Sequence, residues 1–146
     1  MTDYFLKIDG ITGDSVQRDF EGWFTISAFA WSVDGSGAAS PDALPLDVDT
    51  LAFKGVPLVE AKAAAASPLP RVEFQAYESA GRAGGGWSLR IVLTNARVLS
   101  SGIELSGSGH LVTRWSLGDY TQADVSSRTR DARGNWLPAT TATWRA

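Results

Sequence analysis

Apolar side chains in this chain recur at every second position and almost nowhere at every third or fourth, a period that belongs to half-buried antiparallel strands. Tyr4, Leu6 and Ile8 alternate with Phe5, Lys7 and Asp9, and the alternation stops at Asp9-Gly10. Val72, Phe74 and Ala76 alternate with Glu73, Gln75 and Tyr77, and after GRAGGG the pattern resumes through Trp87, Leu89, Ile91 and Leu93, which reads as a hairpin. Leu111, Trp115 and Leu117 form one more inward face opposite His110, Arg114 and Ser116. Between them, Ser101-Gly102 and Gly107-Ser108-Gly109 mark two bends, and 119–130 with Trp136–Trp144 supply the last strands. The run Trp23 to Val33 is apolar on both sides, which reads as one strand covered on both faces.

One segment departs from this period. VEAKAAAA after Pro57 has the highest helix propensity in the chain, and Ser67-Pro68 stops it, so a helix is expected from about Pro57 to Ala66 with Leu58, Val59, Ala61 and Ala65 on its apolar side. A strand from Leu46 to Phe53 precedes it. Residues 34–45, DGSGAASPDALP, have no periodicity and are rich in turn formers, which marks a contact loop or a plain connection. The count is about eight strands and one short helix. At 146 residues the chain suits a single domain, 1–146, able to bury a core unaided.

Chemistry is thinly represented. The chain has no cysteine and one histidine, which excludes thiolate zinc sites, a thiol nucleophile and a three-histidine metal centre. His110 would have to serve any Ser-His-Asp triad, yet it follows SGSG and alternates outward like a solvated residue. Asp9, Asp14, Asp19 and Glu21 are close enough in sequence for carboxylate catalysis, but they flank glycines and read as turn residues. Asp47 and Asp49 lack the glycine and distal glutamate of a calcium loop, and GRAGGG lacks the lysine and following helix of a phosphate loop. No catalytic residue, metal or cofactor is expected. A net charge of −3 gives no attraction for nucleic acid or an anionic membrane. The N-terminus has no basic segment leading into an apolar one, so no cleavable secretion signal is read there. Arg128, Arg130 and Arg133 cluster beside Asp124 and Asp131, either as a solvated turn or as a subunit contact using charge. The six tryptophans, 23, 31, 87, 115, 136 and 144, exceed what one small core takes, and point to interfaces or to a carbohydrate- or ligand-binding β-sandwich.

The order of these elements resembles the Hcp family, the haemolysin-coregulated tube proteins of type VI secretion systems. DYFLKIDGITGDS at 3–15 is similar to its opening strand and Gly-Glu-Ser turn, with Asp14 in place of the glutamate. TISAFAWS at 25–32 is similar to its second strand, although Val33 and Asp34 stand where the family carries Trp-Gly. LDVDTLAFKG at 46–55 resembles the strand before its single helix, and VEFQAYES with WSLRIVLTNARVLSSGIELSG resembles its central hairpin. DYTQ at 119–122 and Trp144 look like its closing strands.

The resemblance implies a small antiparallel β-barrel with a helix at its side, assembled into hexameric rings that stack into a tube without catalysis. It also implies a protein made in the cytosol and exported through a contractile machine, with itself, effector proteins, spike and sheath components as partners. The loop after the second strand would reach the next ring, which singles out Trp31, Val33, Asp34, Ser36, Ser40 and Asp42 for stacking, with Arg128 and Arg130 as subunit contacts.

Overall fold

A computed structural model describes residues 2–32, 45–51, 54–79 and 84–145. They form nine strands and one helix: β1 (Thr2–Ile8), β2 (Phe24–Thr25), β3 (Ala28–Ala30), β4 (Leu46–Thr50), α1 (Val56–Ala64), β5 (Leu69–Glu78), β6 (Gly86–Leu105), β7 (Leu111–Gly118), β8 (Gln122–Ser127) and β9 (Thr140–Arg145). All pairings are antiparallel, in the order β2-β1-β5-β6-β7-β4-β3, with a β8–β9 hairpin attached to β6. The ladder does not return edge to edge. Its two ends, β2 and β3, are consecutive pieces of one chain run, stitched to β1 by Ile26 N–H donating to Tyr4 O (2.9 Å) and to β4 by Ser27 N–H donating to Asp49 O (2.8 Å). The cylinder is therefore completed by the covalent chain.

This seam corrects the reading of Trp23–Val33 as one strand. The run changes sheets between Thr25 and Ala28, so Phe24 and Ile26 face the core while Ala28, Phe29 and Ala30 are exposed. Thr50 Oγ1 donates to Thr25 O (2.7 Å) and Asp14 Oδ1 accepts from Thr25 N–H (2.9 Å), satisfying backbone groups that the kink takes out of the ladder.

β6 carries the second correction. Ser101-Gly102 is no bend: Gly102 pairs with Arg114 inside a strand of 20 residues. That strand is shared by both sheets, pairing with β5 and β8 over its first half and with β7 over its second. Two local irregularities turn it. Asn95 has φ 52°, and the register shifts between Val98 and Ser100, so that Leu99 is extruded over Gly118. A bulge adds twist and flips the side-chain alternation, which is how one strand serves two sheets.

The core lies between the sheets. Trp115 is 1% exposed and meets Phe24 edge to face at 4.9 Å, among Leu6, Phe74, Ile91, Leu93 and Leu117. Helix α1 presents Val56, Val59 and Ala63 to it, a stripe spaced by three and four residues. Leu58, Ala61 and Ala65, expected on the apolar side, are exposed instead because Val56, preceding the expected start, fixes the helix's rotation. The tight entry needs Gly55, at φ 81°, where a Cβ would stand 2.6 Å from Thr12 O. On β7, Trp115 and Leu117 point inward as expected, but Leu111 is exposed, two residues past Thr50↔Thr113, the last pairing of β4 with β7 among the described residues.

Candidate functional site

Arg128 and Arg130 lie two apart in extended chain and so project to one side. The turn Asp131–Asn135 folds the chain back until Arg130 bridges Trp136, and β6 brings Trp87 and Arg90 to the same place. A ladder results. The Arg128 guanidinium sits 4.1 Å from the Trp87 ring centre and 4.4 Å from that of Trp136, Arg130 lies 4.1 Å from Trp136, and Arg90 lies 5.1 Å from Trp87. Each guanidinium faces the negative face of an indole. Edges are used as well: Arg128 Nε donates to Trp87 O (2.6 Å), and Arg130 donates to Gly134 O (3.0 Å) and Gly84 O (2.9 Å) and pairs with Glu78 at 3.5 Å. Gly86 permits the close stack, since a Cβ there would stand 2.5 Å from Trp136 Nε1 and 2.7 Å from Arg128 Nη2.

The Arg128 guanidinium is held below its ordinary pKa, first by loss of water and then by the neighbouring charges of Arg130 and Arg90. Arginine is not deprotonated in proteins, so Arg128 stays cationic at neutral pH. The two arginines nominated from sequence are thus brought together, with their charge directed at tryptophan rather than spread over a solvated turn. Sequence reasoning passed over Trp87, Trp136 and Arg90 as their partners. The spacing Arg-x-Arg, turn, Trp was the available signal for half of the ladder.

Asp131 holds the turn. Its Oδ1 accepts the backbone N–H groups of Arg133 (2.8 Å) and Asn135 (2.9 Å). These bonds, with that from Asn135 first, hold its carboxyl below the usual carboxylate pKa. The ionised form is therefore favoured in the folded chain, and its contribution is complete above the unfolded pKa of about 3.9 and is lost as pH falls through the lower folded value. The amide shifts of Arg133 and Asn135 are expected to titrate with a midpoint below about 3.9, followed by NMR. A midpoint at or above that value contradicts the assignment.

The other sequence candidates have structural surroundings. His110 is exposed, its backbone N–H bonded to Ser106 Oγ at 3.1 Å in the β6–β7 turn. Asp14 caps Thr25, and Asp19 occupies a turn at φ 72°. Asp49 pairs with Arg114 (3.2 Å), which also pairs with Glu104 (3.0 Å). Among the described residues no group of three metal-ligating side chains comes together. Trp31 packs against Tyr120 (6.2 Å) and Trp144 (6.4 Å) and is half-buried. Val33, Asp34, Ser36, Ser40 and Asp42 lie outside the described residues.

The family model described as "Type VI secretion system effector, Hcp" matches residues 5–126. The chain belongs to the Hcp family. Three solved structures show how far the Hcp fold extends over it. A type VI secretion system effector from Yersinia pestis superposes with a TM-score of 0.80 at 16% identity, covering 99% of this chain and 100% of that one. Hcp1 from Salmonella typhimurium gives 0.77 at 19% identity, over 99% and 94%. The secreted protein Hcp3 from Pseudomonas aeruginosa gives 0.72 at 19% identity, over 100% of both chains. No curated protein matches by sequence. The mainly β barrel-like fold with one helix, expected from the sequence, is that of Hcp structures, with nine strands in place of about eight.

Proposed function

We propose that this Hcp chain, folded as one domain over residues 1–146, is a structural tube subunit of a type VI secretion or related contractile injection system. Six copies close into a ring, rings stack head to tail, and the tube leaves through the machine with effectors in its lumen. Spike and sheath components are its further partners. The family match over most of the chain carries this reading. Trp31 with the segment holding Val33, Asp34, Ser36, Ser40 and Asp42 serves ring stacking, and the Arg128–Arg130 ladder stiffens a subunit contact. The role needs no catalysis or cofactor. Among the described residues no helix is long and apolar enough to cross a membrane.

The rival reading, a glycan-binding module, requires indole faces open to sugar rings. Trp87 and Trp136 carry guanidinia on theirs, and Trp115 is buried. Size exclusion with light scattering is expected to give a mass near six times the 15.6 kDa chain, with rings in electron micrographs. A strictly monomeric protein at high concentration would overturn the tube reading.

A further inference from the structure

The β6–β7 hairpin outruns the barrel. Among the described residues β4 supports β7 as far as Thr50↔Thr113, and beyond it Ile103, Leu105 and Leu111 continue the face that holds Trp115 and Thr113 in the core. Those two are 1% and 0% exposed, whereas Ile103, Leu105 and Leu111 are 48%, 71% and 50% exposed. The opposite face of the ribbon is closed by the Glu104–Arg114–Asp49 ion pairs. One side of the overhang is therefore an apolar knob with a core-like surface, and on the other the ion pairs lie on the same face as Val112, which is only 9% exposed. Singly exposed aliphatics are ordinary, whereas these three adjoin one another and extend a core face.

A matching hollow lies at the seam between β2 and β3. It has a volume of about 240 Å³ and is lined by Asp14, Thr25, Ile26, Ser27 and Leu51. A cavity of about 150 Å³ already takes a benzene-sized group, so this one admits an aliphatic side chain. Knob and hollow stand on opposite margins of the sheet β6-β7-β4-β3, and at the same end of it: Thr113 pairs with Thr50, and Ser27 donates to Asp49 O. A second copy set beside the first in the same orientation brings its hollow to the first copy's knob. That contact is heterologous, the kind that closes into a ring.

We infer that Leu105, with Ile103 and Leu111, seats in the β2–β3 seam hollow of a neighbouring copy. The assignment rests on the tube reading and adds the surface through which adjacent copies meet. Three side chains are far short of the roughly 800 Å² per partner that a stable interface buries, so the knob is the anchor of a wider contact.

The absence of native cysteine makes the test direct. In one chain Leu105→Cys is combined with Ser27→Cys, and in another Ile103→Cys with Thr25→Cys. Within a chain these sites are three strand positions apart, about 14 Å, beyond the 7 Å Cα reach of a disulfide, so oxidation can only link different copies. A ladder of covalent oligomers on a denaturing gel is expected from at least one pair. Leu105→Asp with Leu111→Asp is expected to convert rings to monomers with an unchanged near-ultraviolet circular dichroism spectrum, since both positions are exposed. If wild-type rings form and the aspartate variant keeps them, or neither cysteine pair gives a ladder, this contact is overturned and the tube reading stands. If the wild type forms no rings, both fall together.

Discussion

Arg128→Ala is expected to cost about 2 to 4 kcal/mol in chemical denaturation, a large effect for an arginine outside the core. Its guanidinium lies between Trp87 and Trp136 and donates at 2.6 Å to the Trp87 carbonyl, so alanine removes two cation–π contacts and a charge-assisted hydrogen bond at once. Removal also uncovers the two rings over which the guanidinium lies. Arg128→Lys keeps the charge but neither the flat stacking surface nor the Nε donor, and is expected to recover less than half of the loss. Equal stability of Arg128→Lys and wild type would show that charge alone matters and that stacking does not. Because the 128–137 segment is held to β6 through this stack, Arg128→Ala is also expected to raise amide exchange at Trp136 and Leu137, while Phe74 and Ile91 in the core stay protected.

Trp115→Ala is expected to cost about 3 to 5 kcal/mol and to lower the melting temperature by on the order of 10 °C. The ring is 1% exposed and packs edge to face on Phe24 at 4.9 Å, where the seam strand crosses over the β4–β7 sheet. Its removal opens a cavity between the two halves of the cylinder, which can close only by moving β2 and β4. Trp115→Phe is expected to cost far less than its lost volume suggests, about 1 kcal/mol, since the buried indole Nε1 has no hydrogen-bond partner among the described residues and phenylalanine removes that donor. A loss for Trp115→Phe as large as for Trp115→Ala would mean that the indole nitrogen contributes to stability.

Both residues mark where sequence reasoning stops. The alternation in Tyr4–Ile8, Val72–Tyr77 and Trp87–Leu93 gave the antiparallel strands directly, because a half-buried sheet requires alternating side chains. Pro57 and the alanine run gave the helix. Periodicity reports only which side a residue faces, however, and it fails where the backbone changes sides. Asn95 and Leu99 are such points in β6, and Thr25–Ala28 is another; the sequence suggests a bend at Ser101-Gly102 that the strand of 20 residues does not have, and two strands read as one. Leu111 alternates correctly yet lies past the last pairing of β4 with β7 among the described residues, and no local pattern records where a neighbouring strand ends.

The candidate site was legible in the same partial way. Arg128 and Arg130 stand out as a cluster in sequence, but Trp87, 41 residues from Arg128, becomes a partner only through the antiparallel pairing of β6 with β8. The amino-acid sequence by itself determined the fold class, the single helix and membership of the Hcp family, because these follow from side-chain period, propensity and motif order along the chain. Only the tertiary structure decided that the arginines stack on tryptophan, that the hairpin tip is left uncovered and that a hollow lies at the seam. Each of these depends on groups distant in sequence being brought together, or left without a neighbour, by strand register and bulges.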